Sequence, residues 1–443
     1  MNVVSWLESI EPSASDDSAH PRLCDTRKGK RKRRQVPSPS PSVAGMNAAA
    51  TPPTKRPRPN NDDGNSELER TPTGHSNAWS TESSRSSASR ISATKRLAKL
   101  EVTRSPVHIT QISQNDGRIP LELKTILRHL DSFQQRVGIV PAHLMAEVQA
   151  RAKIDDDFFN FTPWTFASGT ADDTLLSSSP APSLCEVLKV FDSAKECLNE
   201  DHAESTWNAL VHWPVFELAL GPIADTIRAT NSLGPGDESV VLRQTREQIR
   251  IRGMPCTAAR LTDRPHGSKM VDYCIFVEPR PHEAGRIADV REKLGLTYIN
   301  HTDYHALRKR PIILSAESKR PGEGSRNAQL QLSVWQAAQW AFIEKLLAFR
   351  WTTEENAERP PIIPFLPALI IQGHEWHFAA TTRSNNETTL WIKQPIGTTE
   401  SLLGIFQIIH SLHHVTAWIG NTYWPWYRRA ILQLSEEETP SIP

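Results

Sequence analysis

The stretch Pro311-Ile312-Ile313-Leu314-Ser315-Ala316-Glu317-Ser318-Lys319-Arg320-Pro321 decides how this chain is read. Its apolar run, Ile312 to Ala316, lies between two prolines and predicts a buried strand. Side chains alternate faces along a strand, so Glu317 and Lys319 project the same way and Ser318 the opposite way. An acid and an amine side by side at the end of a buried strand need compensation, because unpaired buried charge is costly. They find it in each other, or in a metal and an anionic substrate.

Upstream, Met270-Val271-Asp272-Tyr273-Cys274-Ile275-Phe276-Val277 predicts a second apolar strand with one carboxylate near its start. If the two strands are neighbours, Asp272 and Glu317 converge as hard oxygen ligands for Mg²⁺ or Mn²⁺. Mg²⁺ typically takes one or two carboxylates, keeps waters and leaves the rest to phosphate oxygens. Lys319 would then help to hold the attacking water or a charged phosphate oxygen.

Downstream, a long amphipathic helix is predicted from Asn327 to about Phe349. Gln331, Trp335, Ala338 and Phe342 fall on one stripe of it, which puts a polar group on the face turned toward the sheet. Gln331 there either orients the site or bonds a loop carbonyl. Further strands are expected over Pro367 to Gln372, Trp376 to Ala380 and Thr389 to Ile392, and a closing helix over Glu400 to Ile419. Before the first strand, helices are expected over Leu184 to Leu198 and Asp201 to about Leu220, the second interrupted near Pro214, with an extended segment at Val240-Val241-Leu242. Helices flanking a short set of central strands make the fold class α/β.

Three segments together, Lys269-Met270-Val271-Asp272, Ser315 to Pro321, and Ala328-Gln329-Leu330-Gln331-Leu332-Ser333-Val334-Trp335-Gln336-Ala337-Ala338-Gln339-Trp340, resemble the PD-(D/E)XK nuclease-like domain proteins found in fungi, within the restriction-endonuclease-like superfamily. The resemblance covers roughly residues 185 to 430. It implies a central mixed sheet flanked by helices, with Asp272, Glu317 and Lys319 at metal-binding and catalytic positions. Gln331 looks like the counterpart of the Gln in a Gln-x-x-x-Tyr signature, with Trp335 standing for the Tyr. Such folds often take a further acid from the first core helix. Glu204, on one face with Trp207 and Val211, is the candidate here and Glu217 the runner-up. Val271 replaces the Pro that names the motif. The 45 positions between Asp272 and Glu317 require an insertion, holding Glu283 to Leu296 and Tyr298 to Arg310; a helix and a loop over the site fit that span, either as a substrate-reading element or as a peripheral decoration.

Working outward, the 443 residues carry 51 Lys+Arg and 50 Asp+Glu, but residues 1–100 hold 17 basic and 10 acidic side chains and the remainder 34 and 40. A basic arm precedes a mildly acidic body. Up to about residue 105 the composition is Ser, Pro, Thr, Asn and Arg, which cannot bury enough apolar surface to offset chain entropy. Within it, Arg27, Lys28, Lys30, Arg31, Lys32, Arg33 and Arg34, followed by Lys55-Arg56-Pro57-Arg58, suit the acidic grooves of a nuclear import receptor and can grip phosphates. The expected organisation is a disordered arm over 1–105, a helical preface and linker over 106–183, and a nuclease-like domain over 184–435.

Five scattered cysteines without a Cys-x-x-Cys pair fit a reducing compartment. The first residues show no secretory signal, and the longest apolar stretch noted, Ile362 to Ile371, is too short and too interrupted by proline to span a membrane. Zinc is not expected: His374, His377, His410, His413 and His414 have no carboxylate or cysteine to complete a set of four. Tryptophans 418, 424 and 426 are expected to wedge the last helix against the body. The basic runs Arg243, Arg246, Arg250 and Arg252, and Arg308-Lys309-Arg310, are candidate phosphate contacts. The resulting expectation is a nuclear, otherwise cytoplasmic, Mg²⁺-dependent nuclease. DNA is its expected substrate and RNA the alternative; the competing reading is an inactive nuclease-fold protein that binds nucleic acid or acts as a scaffold.

Overall fold

The computed structural model describes residues 92–168, 181–221, 249–262, 271–351 and 360–434. The basic clusters at 27–34 and 55–58, Val240 to Leu242, Arg243, Arg246 and Lys269-Met270 lie outside the described residues.

Seven strands form one mixed sheet: β1 (Val107–Gln111), β2 (Arg250–Pro255), β3 (Tyr273–Glu278), β4 (Ile312–Lys319), β5 (Leu366–Gln372), β6 (Glu375–Ser384) and β7 (Glu387–Thr398). Their order is β1-β7-β6-β5-β4-β3-β2. The β1/β7 and β4/β5 pairs are parallel and the rest antiparallel. The helices are α1 (Ala93–Glu101), α2 (Leu121–Phe133), α3 (Met145–Arg151), α4 (Leu184–Asn199), α5 (Glu204–Trp207), α6 (Trp213–Leu220), α7 (Pro281–Lys293), α8 (Ser325–Trp351), α9 (Leu402–Trp418) and α10 (Trp424–Tyr427).

The central strands are apolar on both faces because both are covered. Tyr273, Ile275, Val277, Leu369 and Ile371 point into a core shared with α2, α4, α6 and α9. Their neighbours Cys274, Phe276, Ala368 and Ile370 point into a second core with α1 and the first half of α8. Parallel neighbours require a crossover, which α8 supplies between β4 and β5. Along it, Trp335 Nε1 donates to Ser315 Oγ at 2.9 Å, Gln336 Nε2 to the Pro367 carbonyl at 2.9 Å and Gln339 Nε2 to the Ile312 carbonyl at 3.0 Å. Asn385 and Asn386, at φ 47° and 68°, close the β6–β7 hairpin in the left-handed region that two-residue hairpin turns favour.

Three features go beyond the sequence reading. Residues 106–183, expected as a helical preface and linker, supply β1 to the edge of the sheet, and Leu123, Ile126, Leu127 and Leu130 of α2 enter the larger core. The insertion between β3 and β4 leaves β3 at Glu278, the end remote from Asp272. Its helix α7 packs away from the site, with Glu283 accepting from Trp424 Nε1 at 3.1 Å and pairing with Arg428 at 3.3 Å. Its loop runs back along α8, with the His301 ring 4.4 Å from that of Trp335 and Thr302 bridging Leu261. Finally, the helical run Leu402–Leu432 is longer than the apolar stretch noted in the sequence and passes a length and composition test for a membrane span, with mean hydropathy 1.2. That window is 72% buried inside the protein, so its apolar surface is used by the core. Trp424 and Trp426 are buried there, and Trp418 stacks on Phe365 at 4.3 Å.

Candidate active site

The end of β4 and the start of β3 meet at one end of the sheet. Pairing of Tyr273 with Ala316, continued by the Asp272 N–H donating to the Ala316 carbonyl at 3.0 Å, sets Asp272 across from Glu317. Both carboxylates are completely buried. Asp272 Oδ2 accepts the Ser318 N–H at 3.0 Å and the Ser318 hydroxyl at 2.8 Å. Strand alternation sends Ser318 one way and Lys319 the other, toward Glu317: Lys319 Nζ lies 2.5 Å from Glu317 Oε1. The same ammonium donates to the Ser318 carbonyl at 2.7 Å and reaches Glu204 Oε2 at 3.4 Å.

Glu204 thus comes to the site from the first turn of α5, while Glu217 is exposed on α6. The helix expected over Asp201 to Leu220 is divided by a π-helical turn at Asn208–His212, directly before Trp213 and Pro214. Proline has no N–H to give the preceding turn, and irregular turns are common where one is missing. The stem of Lys319 packs on Gly324, which has φ 71°; a Cβ there would sit 2.6 Å from Lys319 Cδ.

Three carboxylates, Asp272, Glu317 and Glu204, surround the Lys319 ammonium. Burial alone would push the Lys319 amine down, but Glu317 foremost, with Glu204 and Asp272, opposes this and holds it above its ordinary value. Lys319 is therefore a cation and hydrogen-bond donor at neutral pH, with no lone pair to take a proton. Among the described residues no group of three or more His, Cys, Asp and Glu side chains is placed to hold a metal. The donor set is instead two buried hard carboxylates, which fits Mg²⁺, an ion that completes its shell with water and phosphate, and does not fit a closed zinc cage.

The remaining candidates are dispersed. Gln331 is half-buried, whereas Trp335 is fully buried against Ser315. The buried glutamines that bond the sheet are Gln336 and Gln339, which periodicity alone did not single out. Arg310 pairs with Glu278 at 2.8 Å, at the end of β3 remote from Asp272. Arg320, next to Lys319, pairs with Glu323 at 2.5 Å and Asp201 at 3.4 Å. Sequence reasoning missed Asn208 and His212, whose side chains join the site through Ser318; their four-residue spacing on a predicted helix was the only signal.

The PD-(D/E)XK nuclease superfamily matches residues 149–424, more than half of the chain, and the protein belongs to that superfamily. The match contains Glu204, Asp272, Glu317 and Lys319 and begins in α3, earlier than the resemblance read from the sequence. It leaves β1 outside, and it carries no restriction to fungi. Neither the curated proteins nor the solved structures offer a match to this chain.

Proposed function

We propose that this protein is a divalent-metal-dependent nuclease that hydrolyses phosphodiester bonds of DNA. The observation that carries the reading is the meeting of Asp272, Glu317 and Lys319 at one end of adjacent strands, with Lys319 held between Glu317 and Glu204. Asp272 and Glu317 are the residues that would hold Mg²⁺ or Mn²⁺. When bound, the cation supplies positive charge to the phosphate and makes a water more acidic. Lys319, fixed as an ammonium, orients the attacking water and steadies charge that builds on the phosphate oxygens. Glu204, one-third exposed at its side chain, keeps the Lys319 head at the mouth of the site. The buried strand ends exclude bulk water from the carboxylates, which strengthens each of these contacts.

The test is Mg²⁺-dependent cleavage of plasmid and of single- and double-stranded oligonucleotides by wild type, Glu317→Ala and Lys319→Ala. Both variants are expected to lose at least a hundredfold in rate. Equal cleavage by all three sinks the assignment. Faster cleavage of RNA than of DNA redirects the substrate class, and Mn²⁺ binding by calorimetry without cleavage of either leaves a binding module of the same fold.

We also propose that the basic arm directs the protein to the nucleus. A fluorescent reporter fused to residues 1–105 is expected to accumulate there and to lose that preference when Lys30, Arg31, Lys32, Arg33 and Arg34 become alanine. Equal distribution of both fusions removes this reading.

A further inference from the structure

A line of polar contacts runs behind the carboxylates, from Asp272 to Lys319. Ser318 Oγ lies 2.8 Å from Asp272 Oδ2. One terminal atom of the Asn208 amide faces both Ser318 Oγ at 2.7 Å and His212 Nδ1 at 2.9 Å. His212 Nε2 lies 2.9 Å from the Gly373 carbonyl oxygen, and the Gly373 N–H donates to the Lys319 carbonyl at 2.7 Å. Gly373 occupies the tight β5–β6 turn at φ 56°, where a Cβ would sit 2.3 Å from Pro321 Cγ.

Counting protons decides which way the amide points. Asp272 Oδ2 already accepts the Ser318 N–H, and the Ser318 hydroxyl gives its single proton to the same oxygen. The Asn208 atom facing that hydroxyl must then donate to it. At the other end, the Gly373 carbonyl only accepts, so His212 carries its proton on Nε2. Burial pulls the fully enclosed His212 down to about 4, against the opposing Gly373 bond and Asp272 charge, so the ring is neutral at pH 7 and Nδ1 is an acceptor. That end, too, demands a donor. An amide NH₂ has two protons and serves both, whereas an amide oxygen at the same place leaves Ser318 with two acceptors for one proton and His212 one proton short. Oxygen and nitrogen exchange by a half-turn of the amide.

The backbone fixes this piece. In the π turn the Asn208 carbonyl accepts the Trp213 N–H and also the Tyr273 hydroxyl at 3.0 Å. Tyr273 adjoins Asp272, so Asn208 is tied to β3 by its main chain and to β4 by its side chain.

We propose that Asn208 and His212 are positioning residues of the active site, Asn208 donating through Ser318 to orient Asp272 and His212 holding the Gly373 turn that fixes the main chain of Lys319. This rests on the reading of Asp272 as a metal ligand and Lys319 as the catalytic ammonium.

Three measurements test it. In wild-type protein labelled with ¹⁵N at histidine, long-range ¹H–¹⁵N spectra should show His212 as the neutral Nε2–H tautomer at pH 7. Asp272 and His374 are the charged or titratable groups that bear on it, and the rings of Trp207 and Trp376 pack against it. An Nδ1–H tautomer or an imidazolium overturns the proposal. Because this spectrum needs no metal, it decides on the relay even if wild type binds no Mn²⁺, a result that would instead remove the metal reading. The second measurement is Mn²⁺ titration of Asn208→Ala and Asn208→Asp. Both should bind roughly ten- to a hundredfold more weakly, because Asp offers the same shape but no donor. Wild-type affinity in Asn208→Asp overturns the amide orientation. His212→Gln, which can still donate to Gly373, should recover part of the turnover lost in His212→Ala; equal rates in the two contradict a positioning role for His212.

Discussion

Lys319 is the residue on which the chemistry and the stability of the site meet. Its ammonium faces Asp272, Glu317 and Glu204, and its raised pKa follows from those partners. The sign is clear: a lysine whose folded-state pKa lies above its unfolded value stabilises the fold fully at neutral pH and loses that contribution only as alkaline pH passes through the folded pKa. Lys319→Met should therefore destabilise metal-free protein by about 3 kcal/mol, the lower end for breaking a buried pair, and equally at pH 6 and pH 8. Added Mg²⁺ should recover part of the lost thermal midpoint, since it replaces the missing positive charge. A variant as stable as wild type without metal would contradict the pairing of Lys319 with Glu317 and Glu204. The Glu317–Lys319 contact was legible in the sequence, because strand alternation alone puts i and i+2 on one face. The Glu204 contact was half legible: helical periodicity named its face, but nothing local placed that helix beside β4. The Asn208–His212 relay required the tertiary structure, since its partners Ser318 and Gly373 lie more than a hundred residues away in sequence.

At the level of elements, the inner strands β3, β4 and β5 announced themselves as unbroken apolar runs, the mark of a strand covered on both faces. The two strands that escaped notice, β1 with sequence Val-His-Ile-Thr-Gln and β2 with Arg-Ile-Arg-Gly-Met-Pro, are the two edges of the sheet. Edge strands carry polar residues and proline because one side meets no partner strand, and those residues erase the pattern that betrays a strand. The β5–β6 turn gives this level its prediction. Gly373→Ala must accommodate both a positive φ and a Cβ against Pro321, so it should cost about 1–3 kcal/mol in urea denaturation and lower activity through the shifted Lys319 main chain. A neutral effect on both would show that the turn does not set the strand end.

For the molecule as a whole, buried histidines govern acid stability. Burial brings His212, His410, His413 and His414 to about 4 and His301 to about 3. Unfolded, each takes up a proton near pH 6.5. The folded protein resists doing so until the lower values, so stability is complete above about pH 6.5 and falls between there and pH 4. Each proton gained only on unfolding steepens the fall by about 1.4 kcal/mol per pH unit. Urea midpoints should decline across this window and flatten above it; a constant midpoint from pH 7 to pH 4.5 would contradict the burial of these rings.

The parallel pairing of β1 with β7 joins residue 107 to residue 388. A ribosome therefore releases the first strand of the sheet long before the strand it must lie against exists. That segment waits without its partner while the intervening residues are made, and the sheet gains this edge only after β7 has emerged. The first of the seven strands is placed only after the seventh has been made. A fragment cut to the limits of the superfamily match would never receive it, and would present the bare rim of β7 to other chains as a surface for strand addition.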